Sequence, residues 1–168
     1  MPRSEQLCVR SLVGQRIRAE FPGLEQETTG LYWPIRGEID LRRLATELAE
    51  AGGRVALPVI TLRGEPLAFA RWRPGMRLVR GVWDIPVPPE PEWIRPTLLV
   101  IPVLGFDPAA YRLGYGGGYY DHTLAAMEPR PGTIGVGYEF GRLETIFPQA
   151  HDVPLDAIVT ESSLIRKA

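Results

Sequence analysis

The sequence is poor in the residues that usually carry covalent and metal chemistry. Cys8 is the only cysteine, so it makes no internal disulfide and builds no structural zinc site. Every basic residue but Lys167 is arginine, and Lys167 is next to last. A Schiff-base lysine is therefore not expected, nor a phosphate loop that needs lysine directly after its glycines. Arginine holds its proton at neutral pH, so these side chains clamp anions but do not act as bases. The formal charge is only −1, which supplies no global field for nucleic acid. No apolar run approaches the roughly 20 residues of a membrane span. The N-terminal stretch lacks the apolar core of a signal peptide. A cytoplasmic protein with no nucleic-acid or membrane partner, monomeric or homodimeric, is the expectation.

What is present is an ordinary globular composition in 168 residues, enough for one domain spanning 1–168. There are no internal repeats. Leu12, Val13, Ile17 and Phe21 predict a short helix over Ser11–Glu20, ended by Pro22-Gly23. Leu31–Trp33 reads as a short strand. Asp40 is placed to cap a helix whose apolar stripe is Leu41, Leu44, Ala45 and Leu48, with Gly52-Gly53 as its stop. Val55–Ile60 is a continuous apolar run too short for a helix, a strand buried on both faces, and Leu67–Trp72 alternates like its hairpin partner.

Six prolines fall between 73 and 96, which reads as a loop-rich excursion with at most one short strand. Arg63, Arg71, Arg73, Arg77 and Arg80 lie near it, and a solvated charged face explains them better than an anion site. Leu98–Ile101, Thr133–Tyr138 and Asp156–Thr160 are further strands, with a helix carrying Leu124, Ala125 and Met127 beginning at Tyr119 or Tyr120. Short apolar strands alternating with helices give an α/β fold, layered around a mainly parallel sheet. Ligands of such sheets bind beyond the carboxyl ends of the strands, which places the loop after Ile101 and the turn after Val159 at the binding end and the loop before Asp156 away from it.

The most informative stretch is Arg112-Leu-Gly-Tyr-Gly-Gly-Gly-Tyr-Tyr-Asp121. Four glycines let the backbone approach a ligand, and successive N–H groups at a helix start form an anion nest. Arg112 adds a charged contact to phosphate, and Asp121 beside phosphate makes sense with a bridging divalent cation. A flexible glycine loop is the plain alternative. The spacing fits neither a dinucleotide fingerprint nor a lysine-containing phosphate loop.

This stretch resembles the signature of the 5-formyltetrahydrofolate cyclo-ligase (methenyltetrahydrofolate synthetase) family. Tyr32–Asp40, Val55–Val59, Leu99–Asp107 and His151–Glu161 resemble the family's other segments in order and spacing, so the likeness runs over about residues 31–161. It implies a single three-layer, Rossmann-like domain. It also implies ATP- and Mg²⁺-dependent conversion of 5-formyltetrahydrofolate to 5,10-methenyltetrahydrofolate, with release of ADP and phosphate. ATP would phosphorylate the formyl oxygen, N10 would attack, and phosphate would leave without a covalent enzyme intermediate.

Carried over by resemblance, Arg112, Leu113, Gly114, Tyr115, Gly116, Gly117, Gly118, Tyr119 and Tyr120 hold the ATP phosphates, with Arg112 and Tyr119 as the catalytic candidates. Tyr115 through Tyr119 also border the folate, Trp33 and Glu38 contact the pterin, and Asp121 and Asp156 hold Mg²⁺. Each has a plainer alternative: Trp33 as a core aromatic, Glu38 as a complement to the following helix dipole, Asp156 as a turn residue. His122 and His151 are assigned no role. The family's opening basic helix, of the type Lys-x-x-x-Arg, is expected to be shortened or absent here, with Arg3 and Arg10 as the nearest substitutes. The rival functions are a folate- or nucleotide-binding paralogue without turnover and a sugar-phosphate isomerase.

Overall fold

The computed structural model describes residues 1–114 and 117–168. Its centre is a seven-stranded sheet. The strands are β1 (Thr28–Gly30), β2 (Arg54–Val59), β3 (Ala68–Trp72), β6 (Leu98–Pro102), β9 (Gly132–Val136), β10 (Ala157–Val159) and β11 (Leu164–Arg166). They lie in the order β11-β10-β9-β6-β1-β2-β3. The five inner strands are parallel, and β3 and β11 close the two edges antiparallel. Two ribbons stand off the sheet: β4 (Val79–Arg80) with β5 (Pro86–Val87), and β7 (Gly105–Phe106) with β8 (Arg112–Leu113).

Alternation along the inner strands feeds two cores. Val55, Leu57, Val100 and Val159 pack on one face with Val9, Val13 and Ile17 of α1 (Arg3–Glu20) and Leu44 and Leu48 of α2 (Arg42–Glu50). Ala56, Leu99, Ile101 and Ile158 pack on the other with Leu124 of α3 (Tyr119–Ala126). These are the three layers expected of an α/β domain. The sheet's centre is tight: a Cβ on Gly30 would fall 2.6 Å from Leu99 Cδ2 and 3.1 Å from the Phe69 ring.

Several expectations are adjusted. The first helix extends back to Arg3, because Val9 continues the buried stripe of Val13 and Ile17. The first strand lies at Thr28–Gly30, ahead of Leu31–Trp33, because its ladder to β2 and β6 is made by these small residues. The excursion over 73–96 holds two short strands rather than at most one. The helix α2 ends as read: Gly52 takes φ +93, and the Gly52 and Gly53 N–H groups donate to Ala49 and Leu48 carbonyls in a Schellman turn. No helix among the described residues is long and apolar enough to cross a membrane.

The strand order reverses between β1 and β6: the chain leaves β1 for β2 on one side and returns to β6 on the other. The loops diverging from those two carboxyl ends leave a crevice, the usual ligand position in an open parallel sheet.

Candidate active site

A cleft of about 620 Å³, measured out to its open mouth, occupies that crevice. Residues 36–39 after β1, 102–104 at the end of β6, and 136–138 with Phe140 after β9 line it. Glu38 is the acidic side chain of this wall. Its Oε1 accepts the Ile35 N–H at 2.9 Å. Burial raises its pKa to about 7, against the opposing pull of the Ile35 N–H and Arg36. The N-cap of α2 is Leu41 rather than the expected Asp40, which stands one residue ahead and accepts the Arg42 N–H on Oδ1 at 3.0 Å.

Two tyrosines, Tyr32 and Tyr120, feel the Glu38 charge, and a third, Tyr138, bonds to the residue before it. Tyr32 donates to the Ile39 carbonyl at 2.6 Å, and Tyr138 donates to the Gly37 carbonyl at 2.9 Å. The Tyr120 pKa is raised by burial and by Glu38 despite the opposing Arg112 charge. Tyr32 is pushed up too, by burial first and then by Glu38. All three hydroxyls thus stay protonated at neutral pH, as donors.

Trp33 is half-buried against Trp72, with ring centres 6.3 Å apart, and carries the Arg42 guanidinium 5.3 Å from its centroid. It packs against the core, as the plainer alternative has it.

The glycine motif leads from β8 into α3, as the sequence indicates. Gly118 takes φ +65 at the helix start, and its carbonyl accepts the first helical N–H, from His122. Tyr115 and Gly116 lie outside the described residues. Arg112, 8% exposed, brings Nη2 to 3.2 Å from Asp121 Oδ1. Its guanidinium also lies 5.7 Å from the Tyr120 centroid. Yet Nε and Nη2 of Arg112 are buried and make no hydrogen bond among the described residues. Asp121 Oδ1 accepts the Val153 N–H at 3.2 Å, while Oδ2 accepts none among the described residues. A buried guanidinium with an unused Nε beside a carboxylate with an unused oxygen fits an anion accompanied by a cation.

Tyr119, at the start of α3, is met edge-on by Trp83 at 5.5 Å, and its hydroxyl accepts the Gly64 N–H at 3.4 Å. Sequence reasoning passed over Trp83 because it sits in the proline-rich excursion. Its signal was a lone aromatic between Val82 and Asp84, and the fold carries it to the glycine motif with φ +55. The arginines of that region divide. Arg71 and Arg73 bridge to Glu92, and Arg63 lies 6.0 Å from the Trp83 centroid.

Asp121 and Asp156, the residues expected at the metal, bond to different segments among the described residues. Asp156 precedes β10, at the amino ends of the strands. Its Oδ2 accepts the Thr133 N–H at 2.9 Å and hydroxyl at 3.1 Å, and its own N–H donates back to Thr133 Oγ1. That is the turn role, tying β9 to β10. The segment that reaches Asp121 is Asp152-Val153, through the Val153 N–H. No cluster of three or more His, Cys, Asp or Glu side chains that could hold a metal occurs among the described residues. A cation here would take ligands from phosphate as well as protein.

The first helix, α1, carries Arg3, Arg10, Arg16 and Arg18. Arg10 reaches Asp40 at 3.4 Å, beside the start of α2.

Comparison with known proteins agrees with this geometry. The profile of the 5-formyltetrahydrofolate cyclo-ligase family matches residues 6–161. The chain is 30% identical to the 5-formyltetrahydrofolate cyclo-ligase of Escherichia coli over 150 residues, covering 85% of this chain and 82% of that one. It is likewise 30% identical to that of Mycolicibacterium smegmatis, covering 94% and 87%. The solution structure of Aquifex aeolicus 5,10-methenyltetrahydrofolate synthetase superposes with a TM-score of 0.85 at 28% identity, covering 99% of this chain and 84% of that one. The glycine motif, the cleft at the strand-order reversal and these likenesses agree: the chain belongs to the 5-formyltetrahydrofolate cyclo-ligase family.

Proposed function

We propose that this protein closes the imidazoline ring of 5-formyltetrahydrofolate, consuming ATP in the presence of Mg²⁺ and releasing 5,10-methenyltetrahydrofolate, ADP and phosphate. The observation that carries the reading is Arg112: a buried guanidinium at the entrance of a glycine-rich helix start, ion-paired to Asp121 through Nη2 and with its Nε donor unused among the described residues. Asp121 already offsets part of the cost of burying this charge, and a phosphate would satisfy the donor that Asp121 leaves open.

Phosphorylation turns the formyl oxygen into a leaving group, N10 attacks the formyl carbon, and the N10 proton departs as the ring closes. The chain's contribution is placement and charge. Arg112 and the N–H groups of Gly117, Gly118 and Tyr119 would hold the phosphates. Asp121, through Oδ2, would hold Mg²⁺, which neutralises phosphate charge when bound. Asp152, beside Val153, is the nearest acidic side chain along the segment docked on Asp121. Glu38 would accept the N–H donors of the pterin, with Trp33, Tyr119 and Trp83 as its aromatic surroundings. The protonated Tyr120 hydroxyl is a donor close to both Glu38 and Arg112. We place this reaction in the cytoplasm.

The test is an absorbance assay for the methenyl product with ATP and Mg²⁺ supplied together and singly. Product only when both are present supports the reading. Product without ATP overturns it, and folate binding with no product under any condition indicates a binding protein instead.

A further inference from the structure

The turn between β7 and β8 carries a buried acid that the proposed function leaves unused. Asp107 is 3% exposed, and both of its carboxylate oxygens are engaged by backbone. Oδ1 accepts the Ala109 N–H at 3.0 Å and the Tyr111 N–H at 3.2 Å. Oδ2 accepts the Ile146 N–H at 3.2 Å. Burying a carboxylate is costly, and these donors offset that cost.

The first oxygen works on the approach to Arg112. Tyr111 immediately precedes Arg112, and Asp107 holds Tyr111 from both sides. Its carboxylate takes the Tyr111 N–H, and its own N–H donates to the Tyr111 carbonyl at 3.1 Å. Between them Ala110 sits at φ +67, a left-handed conformation that a residue with a Cβ keeps only where its surroundings enforce it. The Ala110 N–H donates to the Asp107 carbonyl at 3.0 Å. Across the ribbon, Phe106 pairs with Arg112.

The second oxygen reaches the segment that holds the other partner of the ion pair. The stretch from Ile146 to Leu155 is fixed to Asp107 at one end by the Ile146 N–H. At the other end the Leu155 N–H donates to the Ala110 carbonyl at 2.9 Å. In between, the Val153 N–H donates to Asp121 Oδ1 at 3.2 Å. One carboxylate thus ties the turn that delivers Arg112 to the segment docked on Asp121.

Resting on the phosphate role proposed for Arg112, we infer that Asp107 is the positioning residue that sets the Arg112 guanidinium against Asp121. Asp107 acts through Arg112 rather than on the substrate. An arginine side chain has many rotamers, and a backbone fixed at its root lowers the ordering cost of presenting it to an anion.

The experiment is a double-mutant cycle, read by titration calorimetry of the full chain with magnesium tripolyphosphate. Its members are the wild type, Asp107→Ala, Arg112→Ala and the double variant, each with the KM for 5-formyltetrahydrofolate measured alongside. Asp107→Ala should weaken tripolyphosphate about tenfold in the wild-type background and not at all in the Arg112→Ala background, as for residues coupled through a shared backbone shift. Asp107→Asn keeps an acceptor for the Ala109 and Tyr111 N–H groups and should bind within about twofold of wild type. The folate KM should not move. If Asp107→Ala does not fold, Asp107→Glu takes its place in the cycle, with the same charge and acceptors displaced by one methylene. Unchanged tripolyphosphate affinity in the Asp107 variant overturns the positioning role. So does an equal loss in both backgrounds, a matching rise in folate KM, or a loss in Asp107→Asn as large as in Arg112→Ala. A wild type that binds no magnesium tripolyphosphate, or an Arg112→Ala that binds it as well as wild type, overturns the phosphate role of Arg112 itself.

Discussion

Arg112 and Asp121 lie 3.2 Å apart, nitrogen to oxygen, with side chains 8% and 12% exposed, on either side of the glycine motif. The pair joins the last ribbon before the motif to the first turn of the helix after it. It therefore clamps the motif's two ends together while leaving Arg112 Nε and Nη2 without a hydrogen bond.

Arg112→Ala should weaken MgADP about tenfold or more, since a charged hydrogen bond is worth about 1.5–3 kcal/mol. Folate affinity should change far less. Calorimetry with each ligand separately checks this, and equal losses for both would remove Arg112 from the phosphate site.

Asp121→Asn separates a metal role from a helix-dipole role. A ligand to Mg²⁺ predicts a several-fold higher Mg²⁺ concentration for half-maximal rate. A dipole role is worth only about 0.3–1 kcal/mol and lowers the melting temperature without moving the Mg²⁺ curve. Magnesium titrations of the two proteins, set beside their melting curves without ligand, decide between them.

Glu38, raised to about 7 by burial, links both folding and binding to pH. Between the ordinary carboxyl value of 4.5 and about 7, the unfolded chain has released this proton while the folded chain retains it. Its contribution to stability therefore declines as pH rises through that window and is level above it. Glu38→Gln should abolish this decline and melt relatively higher at pH 8 than at pH 5, compared with wild type. Folate binding should move the opposite way. The ionised carboxylate accepts two hydrogen bonds, so wild-type affinity should rise about tenfold from pH 6 to pH 8 and that of Glu38→Gln should stay flat.

At Glu139 the pH dependence has the other sign. Burial pushes against ionisation, but the Arg142, Thr160 and Ser163 donors outweigh it and hold the carboxyl at about 2. The stabilisation is complete above the ordinary value of 4.5 and is lost as pH falls toward 2. Glu139→Ala should cost about 2 kcal/mol at pH 7, on the scale of hydrogen bonds to a charged group. Thermal melts from pH 7 to pH 3 should show the difference from wild type shrinking with acid.

The sequence by itself determined the elements whose causes are local. The apolar run at 55–59, the Gly52-Gly53 stop and the glycine motif opening a helix at Tyr119 are each set by neighbours a few residues away, and the structure has all three. The family resemblance was legible for the same reason, since it rests on contiguous blocks. Tertiary structure decided what depends on strand order and long-range register. Three small residues, Thr28–Gly30, carry no strand pattern of their own, yet they form an inner strand of the sheet because β2 and β6 supply ladders on both sides. Asp156 bonds to Thr133 because the parallel register sets the amino ends of β9 and β10 side by side. Tyr138 meets Gly37 across 101 residues because loops leaving the carboxyl ends of β1 and β9 converge over β6, a neighbourhood that spacing along the chain does not encode.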